Sequence, residues 1–335
     1  MTSPTERLLD RHDAVLLDLD GTVYHGATPV PGATDVLDEL RRRGTPLRFV
    51  TNNAAKAPDA VTDHLRALGV RADPAEVSTS AQAAARLLGD RLPAGAVVLV
   101  VGTDALAAEV KATGLTPVRA AGPEVAAVIQ GYSKETAWPD LAEACLAIRA
   151  GALWVACNLD ATVPTERGQL PGNGSFVAAL RTATGAEPVV AGKPEPPLFR
   201  LAADAVGARD PIVVGDRLDT DIAGAVATGF PALAVLTGVA TPAALLAAPP
   251  EQRPRYVAAD LTGLTAPAAD LEIGPRPGWR VDPGTTALSV AAAGDRAEPL
   301  DLLRALCAAA WDHGVTVVEP ADEHARAALV DLKVG

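Results

Sequence analysis

Short apolar runs alternate with amphipathic segments along the first part of the chain. The run AVLLDLD at residues 14–20 precedes a helical pattern near Thr34–Arg43, and the run PLRFVTNN at residues 46–53 precedes another near Pro58–Leu68. This order of strand and helix predicts a parallel sheet with right-handed crossovers. Because helices cover both faces of such a sheet, its strands are buried on both sides and their sequences are unbroken apolar runs.

A second series of apolar runs follows the segment STSAQAAARLL at residues 78–88. It provides enough material for a separate α/β unit inserted into the first one. The original pattern then resumes with a helix after Pro196 and another after Thr220. The inserted series has predicted strands at 96–102, 124–132, 152–158 and 187–190 and a helix at Trp138–Ala150, and the resumed series has strands at 211–216, 231–238 and 255–260.

The regular alternation of apolar strands and helices is interrupted at about Leu271. The turn-rich sequence IGPRPGWRVDPG at 273–284 leads into a predicted strand at 286–291, a helix at Pro299–Asp312 and a short strand at 315–319. The whole pattern predicts an α/β protein in three parts. They are a discontinuous core at 1–80 and 188–270, an inserted α/β unit at 81–187 and a small α+β C-terminal lobe at 271–335.

The length, net charge and cysteine content of the chain exclude several classes of protein. A chain of 335 residues is long enough for more than one domain, and a net charge of −12 argues against a nucleic-acid surface, which needs clustered Lys and Arg. The three cysteines form no metal-binding pair by their spacing and fit a reducing compartment. The N-terminus is charged where a signal peptide is apolar. We therefore expect a soluble cytoplasmic protein that neither binds nucleic acid nor inserts into a membrane.

Polar side chains follow several predicted strands at their carboxyl ends, where open parallel sheets bind their ligands. Carboxylates that converge at one edge repel one another unless a cation or protons compensate. Oxygen ligands without His or Cys select Mg²⁺, which uses one or two carboxylates plus a substrate phosphate. The residues delivered to this edge are Asp18 and Asp20 from the first strand, Thr51, Asn52 and Asn53 from the second, Lys193 after EPVVAGK, and Asp216 with Asp219 and Asp221 after PIVVGD.

The first two of these carboxylates also suit covalent chemistry. An aspartate such as Asp18 can attack phosphorus and form an aspartyl-phosphate. Asp20, two residues further on, points to the same side of an extended strand and can protonate a leaving alcohol and later activate water. The pair alone is ambiguous, because DxDG also occurs in turns and calcium loops.

Each of the other candidate residues can also have a purely structural role. Asp216 and Asp221 can cap a helix or lie in its first turn, Thr51–Asn53 can form a turn, and Lys193 can lie on the surface. Asp219 is interpreted as a loop or helix-start acid, not as a metal ligand. His25 receives no catalytic role.

Four ordered motifs make the sequence resemble the haloacid dehalogenase (HAD) superfamily of phosphatases. They are DLDGT at 18–22, TNN at 51–53, the lysine of GKPEP at 192–196 and GDRLDTD at 215–221. The strings TVYHG, NLDATVPTERG and LPGNGS, with the insertion between the second and third motifs, resemble the NagD-like branch. The similarity covers roughly residues 12–265. It implies a Rossmann-like core with a parallel sheet and a large α/β cap.

By position, the resemblance implies a role for each matching residue. Asp18 is similar to the family nucleophile and metal ligand, and Asp20 to the general acid/base whose main-chain carbonyl also binds the metal. Asp216 resembles the third metal position, supported by Asp221 through waters. Thr51, Asn52 and Asn53 match the phosphate-holding motif, and Lys193 matches the charge-balancing lysine. The implied activity is Mg²⁺-dependent hydrolysis of a phosphomonoester.

The segment after Leu271 exceeds the usual length of this branch. A phosphatase with such a lobe resembles the bacterial glycerol-3-phosphate phosphatases whose extension is acetyltransferase-like in fold. That resemblance implies glycerol 3-phosphate as the substrate and a place in glycerophospholipid metabolism. The tail has no Gly-rich pyrophosphate loop, which argues against acetyl transfer. Caps of this family can mediate dimers, so a homodimer is an open alternative.

The cap offers candidates for contact with a small phosphorylated metabolite. Asn158, Asp160 and the loop Thr165–Gly168 can close over the substrate, with Arg167 facing its anion, or they can form an ordinary hairpin. The core motifs do not select a substrate, because they contact the phosphoryl group that all candidates share. Phosphoglycolate, pyridoxal phosphate, nucleotide monophosphates and aryl phosphates stay open. A phospho-accepting signalling module is the alternative from another class, and a tail that senses a separate metabolite is a third.

Overall fold

The computed structural model describes residues 5–294 and 297–334 of an α/β protein with parallel sheets. Its chain divides into two compact units. The first contains Met1–Leu47, Leu68–Val70 and Val206–Gly335, and the second contains Arg48–Ala67 and Arg71–Ala205. The division into core, cap and lobe made from the sequence stays a prediction.

The first unit is built on a Rossmann-like set of parallel strands. In spatial order they are Tyr256–Ala258, Ala232–Val235, Ile212–Gly215 and Val15–Leu17, and every residue in them is buried. The continuous burial explains their unbroken apolar sequences. The last two strands end directly before Asp18 and Asp216, so the register Leu17↔Val214 places these two carboxylates at neighbouring strand ends.

Amphipathic helices accompany these strands. Ala33–Arg43 buries four apolar residues on one face and ends at Gly44, whose left-handed backbone closes the last turn. A small antiparallel hairpin, Tyr24–His25 with Thr28–Pro29, precedes that helix. The other helices of the core part are Ala223–Thr228, Pro242–Leu246 and Ala268–Leu271.

The C-terminal part of the first unit is a small α+β lobe. Its strands Trp279–Pro283 and Leu288–Ala292 pair antiparallel, and Val318–Pro320 joins the second of them in parallel. Two helices, Pro299–His313 and Glu323–Leu332, complete it. The buried Arg304 fastens the lobe to the core, because its guanidinium donates to the main-chain oxygen of Val257 at 2.7 and 3.1 Å.

The second unit contains a five-stranded parallel sheet. Its order is Val189–Val190, Leu153–Ala156, Val125–Gln130, Val97–Val101 and Thr116–Val118. The same unit contains a parallel pair, Leu47–Thr51 with Val77–Thr79, and an exposed antiparallel hairpin, Thr162–Thr165 with Gly168–Pro171. Its helices are Pro58–Ala67, Ser80–Gly89, Asp104–Ala112, Trp138–Arg149, Asn173–Thr184 and, up to Ala205, Pro196–Val206.

Most predicted elements are confirmed. The structure also contains helices that the sequence did not predict, among them Asp104–Ala112, Asn173–Thr184 and Glu323–Leu332, and it differs from the prediction at three further places. The turn-rich segment contains the strand Trp279–Pro283, which the sequence did not predict because prolines and glycines surround its two inward-facing residues, Trp279 and Val281. The last strand begins at Val318, because pairing with Leu288 starts there, and not at residue 315. The helix after Thr220 begins as a π-helical turn, Leu218–Ile222. Within the described residues, no helix has the length and apolarity needed to span a bilayer.

Candidate active site

Three carboxylates of the first unit converge at the carboxyl ends of its strands. Asp18, Asp216 and Asp221 each offer an oxygen, and these oxygens lie within 4.8 Å of one another. Asp216 and Asp221 are 1% and 0% exposed, so their charges are removed from water. Such a group of acids in a desolvated place needs a compensating charge.

Asp216 lies in a cradle formed by the main chain. Its Oδ2 accepts a hydrogen bond from the Val239 amide at 2.8 Å, and its main-chain oxygen accepts one from Ala240 at 2.7 Å. A Cβ atom on Gly21 or Gly238 would lie 2.4 or 1.9 Å from Oδ2. Both glycines are therefore required by the closeness of this carboxylate.

Asp221 is held by the π-helical turn that follows the strand Ile212–Gly215. Its Oδ2 accepts from the Arg217 amide at 3.2 Å, and its Cβ lies 2.3 Å from where a Cβ on Gly215 would be. Asp219, in the same turn, faces outward and pairs with the Arg217 guanidinium at 2.7 Å. Among the described residues, the carboxylate cluster does not include Asp219.

Asp20 is exposed and begins the turn toward the small hairpin. The Gly21 amide donates to the main-chain oxygen of Tyr24 at 2.7 Å, so the chain turns back on itself directly after Asp20. Burial, the charge of Asp20 and then the charge of Asp18 raise the pKa of Tyr24 to about 12. The Tyr24 phenol therefore stays neutral beside both acids.

The donor set fits a magnesium ion. All three side chains present hard carboxylate oxygens, and the described residues add no His or Cys to the cluster. Gly21 and Gly238 have no Cβ atoms, so no side chain of theirs fills the space beside the Asp216 carboxylate. We conclude that Asp18, Asp216 and Asp221 can hold Mg²⁺.

A second group of predicted residues lies in the second unit, around Asn52 and Lys193. The Asn52 side chain accepts from the Lys193 amide at 2.7 Å and donates to the Lys193 carbonyl at 3.1 Å. Lys193 is 4% exposed, and its Nζ donates to the main-chain oxygen of Val50 at 3.2 Å. The lysine is thus held along both its main chain and its side chain.

The two neighbours of Asn52 in the motif make local bonds. The hydroxyl of Thr51 accepts from the Asn53 amide at 3.1 Å. The side chain of Asn53 accepts from the amides of Ala55 and Lys56 at 2.8 and 3.1 Å and so forms a turn before the next helix. The turn interpretation and the phosphate-holding interpretation are compatible for this motif.

The three cap candidates have different surroundings. Asn158 is 3% exposed and donates to the main-chain oxygen of Asn52 at 2.7 Å. Asp160 is half-buried and accepts from the Asn52 side chain at 3.2 Å. Arg167 lies in the exposed turn of the hairpin, where its amide donates to the Thr165 hydroxyl.

Several residues of these clusters had no signal in the sequence. Gly238 follows a strand as an ordinary turn residue, and Ser80 and Asn173 begin helices as ordinary polar residues. Long-range packing places Gly238 beside Asp216, Ser80 beside Asn52 and Asn173 beside Asn158. Tyr24 was part of the TVYHG string, but the string gives no reason to place its phenol beside Asp18 and Asp20.

Comparison with protein families gives three matches along the chain. Residues 15–116 match the model of the haloacid dehalogenase-like hydrolases, and residues 190–264 match a HAD-hydrolase-like model. Residues 276–333 match a GCN5-related N-acetyltransferase-like domain. The first two matches contain the motifs around Asp18, Lys193 and Asp216, and the third contains the C-terminal lobe.

Individual relatives agree with these matches. The chain is 50% identical to the D-glycerol 3-phosphate phosphatase of Mycobacterium tuberculosis over 96% of this chain and 94% of that one. It is 37% identical to an acid sugar phosphatase of Staphylococcus aureus over 70% of this chain and 90% of the relative. The C-terminal lobe is thus included in the first similarity.

Solved structures show the same relationships. A crystal structure of the M. tuberculosis glycerol phosphate phosphatase in complex with magnesium superposes with a TM-score of 0.95 at 50% identity, covering 99% of this chain and 100% of that one. A 4-nitrophenylphosphatase from Thermotoga maritima gives 0.71 at 29% identity, covering 78% and 98%. The chain belongs to the haloacid dehalogenase-like hydrolases and carries an acetyltransferase-like C-terminal domain.

Proposed function

We propose that this protein is a Mg²⁺-dependent phosphatase that hydrolyses glycerol 3-phosphate to glycerol and inorganic phosphate. The observation that carries the proposal is its 50% identity to a D-glycerol 3-phosphate phosphatase along nearly the whole chain. The cluster of Asp18, Asp216 and Asp221 supports it independently, because it supplies a magnesium-type donor set.

Asp18 is the proposed nucleophile. Its carboxylate attacks phosphorus, the bond to the glycerol oxygen breaks, and an aspartyl-phosphate forms on Asp18. Asp18, Asp216 and the main-chain carbonyl of Asp20 would hold the metal directly, and Asp221 would support it through waters. Bound Mg²⁺ neutralises the charge of the phosphoryl oxygens and lets the anionic nucleophile approach them.

Asp20 is the proposed proton donor and acceptor. It gives a proton to the leaving glycerol oxygen, and the resulting carboxylate then takes a proton from the water that attacks the aspartyl-phosphate. The exposed position of Asp20 suits this role, because its carboxyl group is accessible both to a leaving oxygen and to water. Lys193, Thr51, Asn52 and Asn53 are the proposed phosphate site.

The cap is the proposed source of substrate selectivity. Asp160 and Arg167 are its proposed contacts, and closure of the cap excludes bulk water from the aspartyl-phosphate. The predicted limits of core, cap and lobe, at 1–80 with 188–270, at 81–187 and at 271–335, belong to the same proposal.

A phosphate-release screen with Mg²⁺ tests the function. The substrates are glycerol 3-phosphate, phosphoglycolate, pyridoxal phosphate, a nucleotide monophosphate, a sugar phosphate and 4-nitrophenyl phosphate, and the control is Asp18→Asn. We expect kcat/KM to be highest for glycerol 3-phosphate. A higher value for another ester would reject the substrate and keep the chemistry, whereas a labelled Asp18 that stays phosphorylated for minutes would favour a signalling module.

The proposal has a cellular side as well. We propose a cytoplasmic location, since the three cysteines are free thiols and suit a reducing compartment. Glycerol 3-phosphate is the backbone of glycerophospholipids, which places the proposed reaction in their metabolism. A homodimer is the proposed assembly, and light scattering of the purified protein tests it.

A further inference from the structure

The side-chain amide of Asn52 forms hydrogen bonds within the protein through both its oxygen and its nitrogen. Its Oδ1 accepts from the Lys193 amide at 2.7 Å, and its Nδ2 donates to the Lys193 carbonyl at 3.1 Å and to Asp160 Oδ1 at 3.2 Å. A side-chain amide has two N–H donors, and both have acceptors here. The Asn52 side chain therefore has no N–H left for a phosphate oxygen, and of the N–H groups of Asn52 only that of the main chain can serve as a donor within the proposed phosphate site.

The main-chain oxygen of Asn52 accepts two hydrogen bonds. The Ser80 hydroxyl donates to it at 2.6 Å, and the side-chain amide of Asn158 donates to it at 2.7 Å. Ser80 is 0% exposed and Asn158 is 3% exposed. These two donors come from different parts of the second unit, the start of the helix Ser80–Gly89 and the segment just after the strand Leu153–Ala156, so they fix the carbonyl from two segments of the chain.

The segment that carries Lys193 fits closely against Asn52. A Cβ on Gly192 would lie 2.6 Å from Asn52 Oδ1 and 2.4 Å from the Cys157 carbonyl oxygen. The Lys193 side chain then reaches back to the Val50 carbonyl at 3.2 Å. The Lys193 ammonium is thus located through Asn52 and through Val50 of the strand Leu47–Thr51, although a lysine side chain is flexible in isolation.

We propose that Ser80 and Asn158 are positioning residues, which hold Asn52 so that its amide clamps the main chain of Lys193 and fixes the place of the ammonium group. This rests on the proposed function, in which Lys193 balances the phosphoryl charge. Asn158 then acts from behind the site and does not touch the substrate. Misplacement of a charge by about 1 Å can cost on the order of 100-fold in rate, so the loss of either donor has a measurable effect.

A double-mutant cycle tests the positioning role. Ser80→Ala and Asn158→Ala are each made in the wild type and in Lys193→Met, and kcat and KM are measured with 4-nitrophenyl phosphate and Mg²⁺. We expect each substitution to lower kcat about 10-fold or more in the wild type and less than about twofold in Lys193→Met. Ser175→Ala is the matched control, because it removes a hydroxyl bond of 2.8 Å to another loop carbonyl, Ala161, and should change kcat less than about twofold.

The cycle is repeated on orthovanadate affinity, measured by calorimetry, which requires no knowledge of the substrate. Equal losses in both backgrounds would overturn the positioning role, because they would mean that Ser80 and Asn158 act independently of the Lys193 side chain. If Asn158→Ala does not fold, Ser80→Ala alone decides the outcome. Inactivity of the wild type toward glycerol 3-phosphate would reject the proposed substrate and leave the vanadate cycle to decide the positioning role.

Discussion

Gly238 and Asp216 approach so closely that no side chain fits between them. A Cβ on Gly238 would lie 1.9 Å from Asp216 Oδ2, and that carboxylate is 1% exposed. The neighbouring amide of Val239 donates to the same oxygen at 2.8 Å. The loop after the strand Ala232–Val235 is thus part of the surroundings of the proposed metal site, although it supplies no carboxylate to the cluster.

Gly238→Ala should disturb the metal site more than the fold. The new methyl group must displace Asp216, so we expect the Mg²⁺ concentration for half-maximal activity to rise and kcat to fall about 100-fold. Gly274→Ala is the matched control, because no atom of the described residues lies within 4 Å of its Cβ position. Unchanged magnesium activation in Gly238→Ala would show that Asp216 does not bind the metal.

Asp18→Asn should abolish turnover while the protein stays folded. An amide oxygen is a poor nucleophile and carries no charge for the metal, so a loss of at least about 10³-fold in kcat is expected. Asp219→Asn is the matched control: its exposed pair with Arg217 contributes little, and its rate should stay within about twofold. Wild-type turnover by Asp18→Asn would refute the nucleophile assignment.

Asp20→Asn should separate the two chemical steps. The 4-nitrophenolate group leaves without much help from an acid, whereas hydrolysis of the aspartyl-phosphate still requires a base. Rapid mixing should therefore show a burst of one 4-nitrophenol per protein followed by turnover about 10²- to 10⁴-fold slower than wild type. With glycerol 3-phosphate no burst of glycerol is expected. A wild-type rate with both esters would remove Asp20 from the mechanism.

Arg304→Met should loosen the C-terminal lobe without touching the chemistry. The substitution leaves the carbonyl of Val257 without a guanidinium that donates at 2.7 Å, and it also removes a 2.8 Å ion pair with Asp301. A cost of about 2–4 kcal/mol in the free energy of unfolding is expected, with kcat unchanged below the melting temperature. Arg280→Met, which loses an exposed pair with Asp282, should change stability by less than about 0.5 kcal/mol. Loss of kcat in folded Arg304→Met would give the lobe a catalytic role.

His12 should make the unfolding free energy depend on pH. Burial lowers the pKa of His12 below its ordinary value of 6.5, while Asp210 opposes this shift. Below pH 6.5 the unfolded chain binds a proton that the folded protein does not, so stability falls as the pH drops, with a slope of up to about 1.4 kcal/mol per pH unit. His12→Gln should flatten urea-melt stability between pH 7 and about 5, whereas exposed His25→Gln should keep the wild-type slope. Equal slopes for the wild type and His12→Gln would exclude this contribution.

The sequence by itself determined the fold class, the reaction class and the residues that carry its motifs. The strands are short apolar runs because they are buried on both faces, and their polar ends follow directly in the chain. Asp18, Asp216 and Asp221 could therefore be assigned to one sheet edge, and the structure places them within 4.8 Å. The signals are local and needed no knowledge of packing.

Only the tertiary structure decided which groups surround these motifs. Gly238 is 22 residues from Asp216, and Asn158 is 106 residues from Asn52, so no local pattern links either pair. Contacts of this kind depend on where separate elements pack, and a buried amide such as that of Asn158 has the same sequence signature as an exposed one. For this reason the sequence identified Asn52 and Lys193 as members of one motif set, and the folded chain alone revealed that the first clamps the main chain of the second.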